Sequence, residues 1–143
     1  SRSMAGARLG FGVGCESLIQ DLNTIKYSTN PYNINKMTMA AGIGTLEDDS
    51  YTKSNCNTIM KNREYVVKEL LKLGFELTES KTNFVFAKHK VVDGKEIYLK
   101  LKERGVLVRH FDKPLICQYN RITIGSMEQM ETLINTLKDI LEA

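Results

Sequence analysis

The chain has 143 residues, of which 42% are hydrophobic and 26% charged, with a formal net charge of +3. That composition fits an ordinary globular protein and excludes a disordered tail. No apolar run approaches the roughly 18 residues that a membrane-crossing helix needs, residues 1–10 lack the apolar core of a secretory signal, and the charge is too small for the basic stripe of a nucleic-acid binder.

Residues 1–52 carry a net charge of −1 and residues 53–143 a net charge of +4, and six of the ten glycines fall within the first 44 positions. The organisation therefore changes near residue 50. Over residues 8–14, RLGFGVG, Leu9, Phe11 and Val13 alternate with glycines. Strict alternation predicts a strand, and the bare face implies a close neighbour, either a helix or a ligand. Leu18, Ile19, Leu22 and Ile25 then recur at helical spacing over 16–27. Pro31 and the residues after it read as a loop. A weaker helical pattern over 37–46 contains Ala40, Ala41, Gly42 and Gly44, small enough for close helix packing.

A long helix is predicted over 54–73, with Ile59, Val66, Leu70 and Leu73 on one face and Gly74 as its stop. Short strands follow at 75–77 and 83–87. A helix over 95–104 ends at Gly105, and further strands are expected at 106–109 and 121–124. Ser126 with Gln129 three residues on forms a capping box, opening a last helix whose apolar positions run from Met130 to Leu141 with a 3.6 period. Residues 53–143 thus read as a two-layer α/β unit large enough to fold alone. Residues 1–52, with one strand and two short helices, cannot close a core. They are expected to be mobile or to pair with another chain through an exposed strand edge.

The three cysteines, Cys15, Cys56 and Cys117, lie far apart with no C-x-x-C pair. This argues against a disulfide framework and a zinc site. They read as reduced thiols filling small apolar spaces. His89, in a lysine-rich turn, reads as solvated. His110 reads as surface or as the mouth of a site. Zinc-protease, nucleophile-elbow and P-loop motifs are absent, and the Gly10–Gly12–Gly14 run lacks dinucleotide-fingerprint spacing.

Three arginines stand at predicted strand ends: Arg8, Arg109 and Arg121. A guanidinium beside a buried strand needs a counter-charge. Its planar fork suits a carboxylate or phosphate, and a structural Asp or Glu would serve as well as a bound anion.

The residues A5-G6-A7-R8-L9-G10, P31-Y32-N33-I34-N35, L73-G74-F75 with T82-N83-F84, G105-V106-L107-V108-R109 with F111, and R121-I122-T123-I124-G125 together resemble fold-type-I pyridoxal-phosphate aminotransferases. The likeness is closest to the histidinol-phosphate aminotransferase group. It implies an α/β fold, with 1–52 a remnant of the large cofactor-binding domain and 53–143 the C-terminal α+β small domain. It implies pyridoxal 5'-phosphate as cofactor, a small-molecule substrate, a cytoplasmic homodimeric parent, and no metal, membrane or nucleic-acid partner. By resemblance, Arg8 grips the cofactor phosphate, and Arg121 binds the substrate's anionic end with Arg109 beside it. Asn83 approaches the substrate, and Tyr32 and Asn35 line the neighbouring subunit's site. The lysine that bonds the cofactor is expected just before Ser1. The chain alone is therefore expected to be inactive and not to bind the cofactor tightly. Threonine-phosphate decarboxylase or another aromatic aminotransferase of the group is the nearest alternative. A free-standing, non-enzymatic α/β binding module is the alternative from another class.

Overall fold

The computed structural model describes residues 2–142. The chain divides after Ser54 into two units.

In the first unit, residues 4–9 make a tight turn closed by the Arg8 N–H on the Ala5 carbonyl (3.1 Å) and the Leu9 N–H on the Met4 carbonyl (3.2 Å). Helix α1 spans Glu16–Thr29 and α2 spans Lys36–Glu47. Asn35 caps α2, its side chain accepting the Thr38 N–H at 2.8 Å. Helix α3, Asp49–Lys72, begins in this unit. It starts five residues earlier than the apolar pattern indicated, because the Asp48 carboxylate accepts the Tyr51 N–H at 3.1 Å, an N-cap interaction. Asp49 in its first turn pairs with Lys53 (2.6 Å) and Arg2 (3.0 Å). Those two cations hold its carboxyl below the usual aspartate range, the Lys53 hydrogen bond contributing most.

The strand predicted over 8–14 does not form. Arg8 sits in the turn at φ +60°, and residues 9–15 are irregular. No strand lies among residues 2–54 to pair with them, and alternate glycines are a poor strand former without one. Of the two neighbours that the glycine face implied, the helix is not found: a Cβ added at Gly10 or Gly12 would meet no protein atom within 4 Å. Among its described residues the unit has no strand edge to offer another chain. Of the residues in α1 and α2 only Gly42 is buried, so its apolar side chains close no core.

The second unit carries the rest of α3, then β1 (Phe75–Leu77), β2 (Phe84–His89), α4 (Gly94–Glu103), β3 (Arg109–His110), β4 (Asn120–Thr123) and α5 (Met127–Glu142). The sheet order is β1-β2-β4-β3 with every neighbouring pair antiparallel. Strands β2 and β3 are therefore parallel, with β4 inserted between them, a split β-α-β arrangement. Val85, Ala87 and Ile122 face Val66 and Leu70 of α3, Ile97 and Leu101 of α4, and Leu133, Ile134 and Leu137 of α5 in one buried cluster. The alternate strand residues Phe84, Phe86, Lys88 and Arg121 fall on the opposite face.

The C-termini of α3 and α4 and the N-termini of α4 and α5 are capped. Gly74 (φ +84°) and Gly105 (φ +78°) take the left-handed conformation after α3 and α4. Asp93 caps α4 through the Lys95 and Glu96 N–H groups. Ser126 and Gln129 exchange both bonds of the capping box at 3.3 and 3.0 Å. Buried Asn62 of α3 donates to the Gly125 carbonyl at 2.8 Å, tying the β4–α5 junction down.

Four expectations need correction here. The strand predicted over 106–109 shrinks to Arg109–His110, because the Val106 N–H is spent on the Leu101 carbonyl (2.9 Å) closing α4. His89 is not a solvated turn residue. It ends β2, its Nδ1 accepts the Val91 and Val92 N–H groups at 3.3 and 3.0 Å, and its Nε2–H donates to the Leu73 carbonyl at 3.0 Å. The His110 side chain is only 5% exposed. The cysteines fill no core: Cys15 and Cys56 are exposed and Cys117 half-buried, all three free. Among the described residues, no helix is long and apolar enough to cross a membrane.

Candidate anion-binding site

The β3–β4 ladder sets Arg109 directly opposite Arg121. Residues opposed in this way have Cβ atoms about 4.5–5.5 Å apart, and like charges there repel. Both arginines are exposed. Neither forms an ion pair with a carboxylate among the described residues. The structural Asp or Glu that the sequence left open is therefore not what balances them.

An aromatic floor holds the pair. The Arg109 guanidinium lies 5.4 Å from the Phe111 ring centre and that of Arg121 5.3 Å from Phe84, both within cation–π range. Phe86 pairs in register with Arg121. It stacks on Tyr119 at 4.6 Å and meets Phe111 edge-on at 6.1 Å. Lys88, on the same face over Tyr119 at 5.7 Å, is neutralised by Glu76 at 2.9 Å. The contact with Lys88 holds the Glu76 carboxyl below its usual range, and the same contact raises the Lys88 ammonium. The uncompensated positive charge on this face is thus that of Arg109 and Arg121. Two planar forks on an apolar floor can each give bidentate hydrogen bonds to a phosphate or carboxylate.

Asn83 lies just before β2, three residues and roughly 10 Å along the strand from the residue that faces Arg121. Its carbonyl accepts the Ile124 N–H at 2.9 Å, and it directly precedes Phe84, the ring beneath the Arg121 guanidinium. Arg8 belongs to the first unit. It is exposed, has no ion pair among the described residues, and is held at φ +60°. A non-glycine residue there costs roughly 1–3 kcal/mol, strain that concentrates at functional sites. Tyr32 is 93% exposed. The Asn35 side chain is occupied as a helix cap.

Sequence reasoning missed the floor. The signal lay in residues 84–88, where Phe84, Phe86 and Lys88 alternate with Val85 and Ala87. Applied strictly, the period of two puts both phenylalanines on the face away from the core. Between residues 105–108 and β4 lies a groove of about 570 Å³, lined also by Ser126, Gln129 and Met130. It contains none of the six expected site residues, Arg8, Tyr32, Asn35, Asn83, Arg109 and Arg121. The described residues hold no cluster of His, Cys, Asp or Glu suited to a metal.

Comparison with known proteins places the chain in a family. A family model for aminotransferase class I and II matches residues 1–137. The chain is similar to the histidinol-phosphate aminotransferase of Brachyspira hyodysenteriae, 45% identical over 142 residues, covering 99% of the chain and 40% of that protein. It is 48% identical to the histidinol-phosphate aminotransferase of Clostridium beijerinckii over 141 residues, covering 99% and 39%. The solved histidinol-phosphate aminotransferase of Clostridium acetobutylicum superposes with a TM-score of 0.85 at 26% identity, over 98% of this chain and 42% of that one. The chain thus spans about two-fifths of the length of the curated relatives it matches. With its α/β fold and the family match along nearly its whole length, the chain belongs to the class I and II aminotransferases.

Proposed function

We propose that these 143 residues are the C-terminal part of a pyridoxal-phosphate-dependent histidinol-phosphate aminotransferase. The parent would exchange an amino group between histidinol phosphate and 2-oxoglutarate, giving imidazole acetol-phosphate and glutamate in histidine biosynthesis. The observation that carries the reading is the opposed, uncompensated Arg109–Arg121 pair on its aromatic floor. It suits the anionic group that each substrate carries, a carboxylate in the amino-acid half-reaction and a phosphate in the other. The likeness to histidinol-phosphate aminotransferases at 45–48% identity supports the amino-group transfer and its phosphate-bearing substrate.

Residues 1–52 would be a remnant of the large cofactor-binding domain and 53–143 the small domain. Arg121 would take the substrate anion, Arg109 would share it, and Asn83 would border it. Arg8 suits the cofactor's phosphate: its guanidinium has no carboxylate partner among the described residues, and a Cβ added at neighbouring Gly6 or Gly10 would meet nothing within 4 Å. When bound, pyridoxal phosphate supplies the electron sink for the chemistry at the amino-bearing carbon, and the protein supplies orientation and charge. No lysine precedes Lys26, so the amine that bonds the cofactor would come from the remainder of the parent. The parent would be a cytoplasmic homodimer with no metal, membrane or nucleic-acid partner.

The test is turnover by the full-length parent. Histidinol phosphate should be transaminated with 2-oxoglutarate. Arg121→Gln should raise KM for histidinol phosphate by about 10–100-fold, the loss of a charge-assisted contact of about 1.5–3 kcal/mol. Turnover of threonine phosphate with none of histidinol phosphate would overturn the substrate assignment.

A further inference from the structure

We propose that His110, held by Asn120, is a positioning residue that sets Arg109 opposite Arg121; the inference rests on reading those arginines as the anion site. Strand β3 has two residues and two register pairs, Arg109↔Arg121 and His110↔Asn120. Adjacent strand residues point to opposite faces, so the rung beneath the arginines is the His110–Asn120 pair. Residues 105–108 are not paired to β4. Two rungs of backbone are thus all that the ladder contributes, and a cross-strand pair of like charge adds nothing to them.

Side chains on the inner face make up the difference. Asn120 is 2% exposed, and its amide Nδ2 donates to the Gly94 carbonyl at the head of α4 at 2.8 Å. That assigns its Oδ1 to His110, whose Nδ1–H donates to it at 3.2 Å. The imidazole stacks on Tyr98 of α4 at 5.6 Å and 21°. Its Nε2 lies 3.6 Å from the Asp112 carboxylate, which is also 3.3 Å from the Lys95 ammonium. His110 is therefore fixed to α4 through Tyr98, to β4 through Asn120, and faces Asp112 of the following loop. A strand too short to hold itself is clamped from below by one buried ring, and the residue beside that ring carries the anion ligand above. Arg109 is the ligand that depends on this clamp; Arg121 sits on β4, which is also paired to β2.

The experiment uses NMR on this chain with His110→Phe, which keeps an aromatic ring and loses the donor, and His110→Asn, which returns an amide donor near the Nδ1 position. In His110→Phe the cross-strand proton contacts between β3 and β4 should vanish while those between β2 and β4 remain. In His110→Asn the β3–β4 contacts should return. Intact β3–β4 contacts in His110→Phe, loss of β2–β4 contacts as well, or failure of His110→Asn to restore pairing would each overturn the proposal. Inorganic phosphate is then titrated while the side-chain N–H signals of Arg109 and Arg121 are followed. Both should respond in the unaltered chain. In His110→Phe the Arg109 response should weaken about tenfold, as expected when one charge-assisted contact is misplaced. Silence of both arginines in the unaltered chain counts against the anion-site reading, and the strand contacts still decide the role of His110.

Discussion

Replacing Gly94 by alanine sets two well-known effects against each other. Helix propensity alone predicts a gain of up to about 1 kcal/mol, because alanine loses less backbone freedom on entering α4. The structure predicts the reverse. A Cβ at position 94 would lie 2.5 Å from the Gln118 carbonyl oxygen, 2.6 Å from its carbonyl carbon and 2.9 Å from its Cα. These are backbone atoms and cannot swing aside as a side-chain tip can. A carbon-to-oxygen contact relaxes only near about 3.3 Å, so the loop has to retreat by nearly an ångström. Gln118 is not free to do so. Its side chain donates to Asp93 at 2.9 Å and accepts the Gly94 N–H at 3.3 Å, and the chain enters β4 two residues later. Overpacking of this kind costs about 1–3 kcal/mol, and two weakened hydrogen bonds add about 1 kcal/mol each. After the propensity gain, the net loss is about 2–4 kcal/mol, or a fall in Tm of roughly 10–20 °C for a unit of this size. Urea unfolding followed by circular dichroism measures it. A Gly94→Ala chain as stable as the original, or more so, would refute the reasoning. Gly44→Ala is the control: it lies inside α2 with nothing within 4 Å of its added Cβ, and should strengthen amide-exchange protection of α2 by about 0.5–1 kcal/mol.

Two further outcomes are expected. Ser126→Ala removes one half of the α5 capping box and should cost about 1 kcal/mol, seen as a lower urea midpoint at unchanged slope. Combined with Gln129→Ala the losses should be less than additive, since the two residues serve one motif. Acid should weaken the second unit through Asp93, whose carboxyl is held below the usual aspartate range first by the Gln118 amide and then by the Glu96 N–H. The ionised form is the one favoured by folding, so its contribution is complete above the ordinary aspartate value and is lost as pH falls through the depressed folded value. Asp93→Asn, which still caps α4, should show a smaller loss of stability on acidification in pH-dependent urea unfolding. An identical pH dependence would show that Asp93 is not the group responsible.

The second unit was legible because its signals are local. The 3.6 period of α5, the Ser126–Gln129 box, and the stops at Gly74 and Gly105 each specify backbone geometry within a few residues, and each is where the pattern put it. The first unit was misread at residues 8–14 because alternation specifies a strand only when a neighbouring strand accepts its hydrogen bonds, and none of the described residues of that unit does. His89 and His110 were misread because their partners are remote in sequence: Leu73 is 16 residues away from one and Asn120 ten from the other. The arginine pair was half legible. Strand-edge arginines could be counted from the sequence, but their register opposition needed the β3–β4 ladder, and the aromatic floor needed the strand parity of Phe84 and Phe86.

The strand order carries a consequence for synthesis. Strand β4 occupies the slot between β2 and β3, yet it is the last of the sheet's four strands in chain order and so the last of them to leave the ribosome. Until residue 123 has emerged, β2 presents Phe84–Ala87 as an open edge and the apolar sides of α3 and α4 lack the strand that joins them. Unpaired edges of this kind recruit foreign strands. A stalled or truncated product ending before β4 is therefore the species that chaperones must shield, whereas one that has cleared Thr123 can seal the sheet in a single insertion.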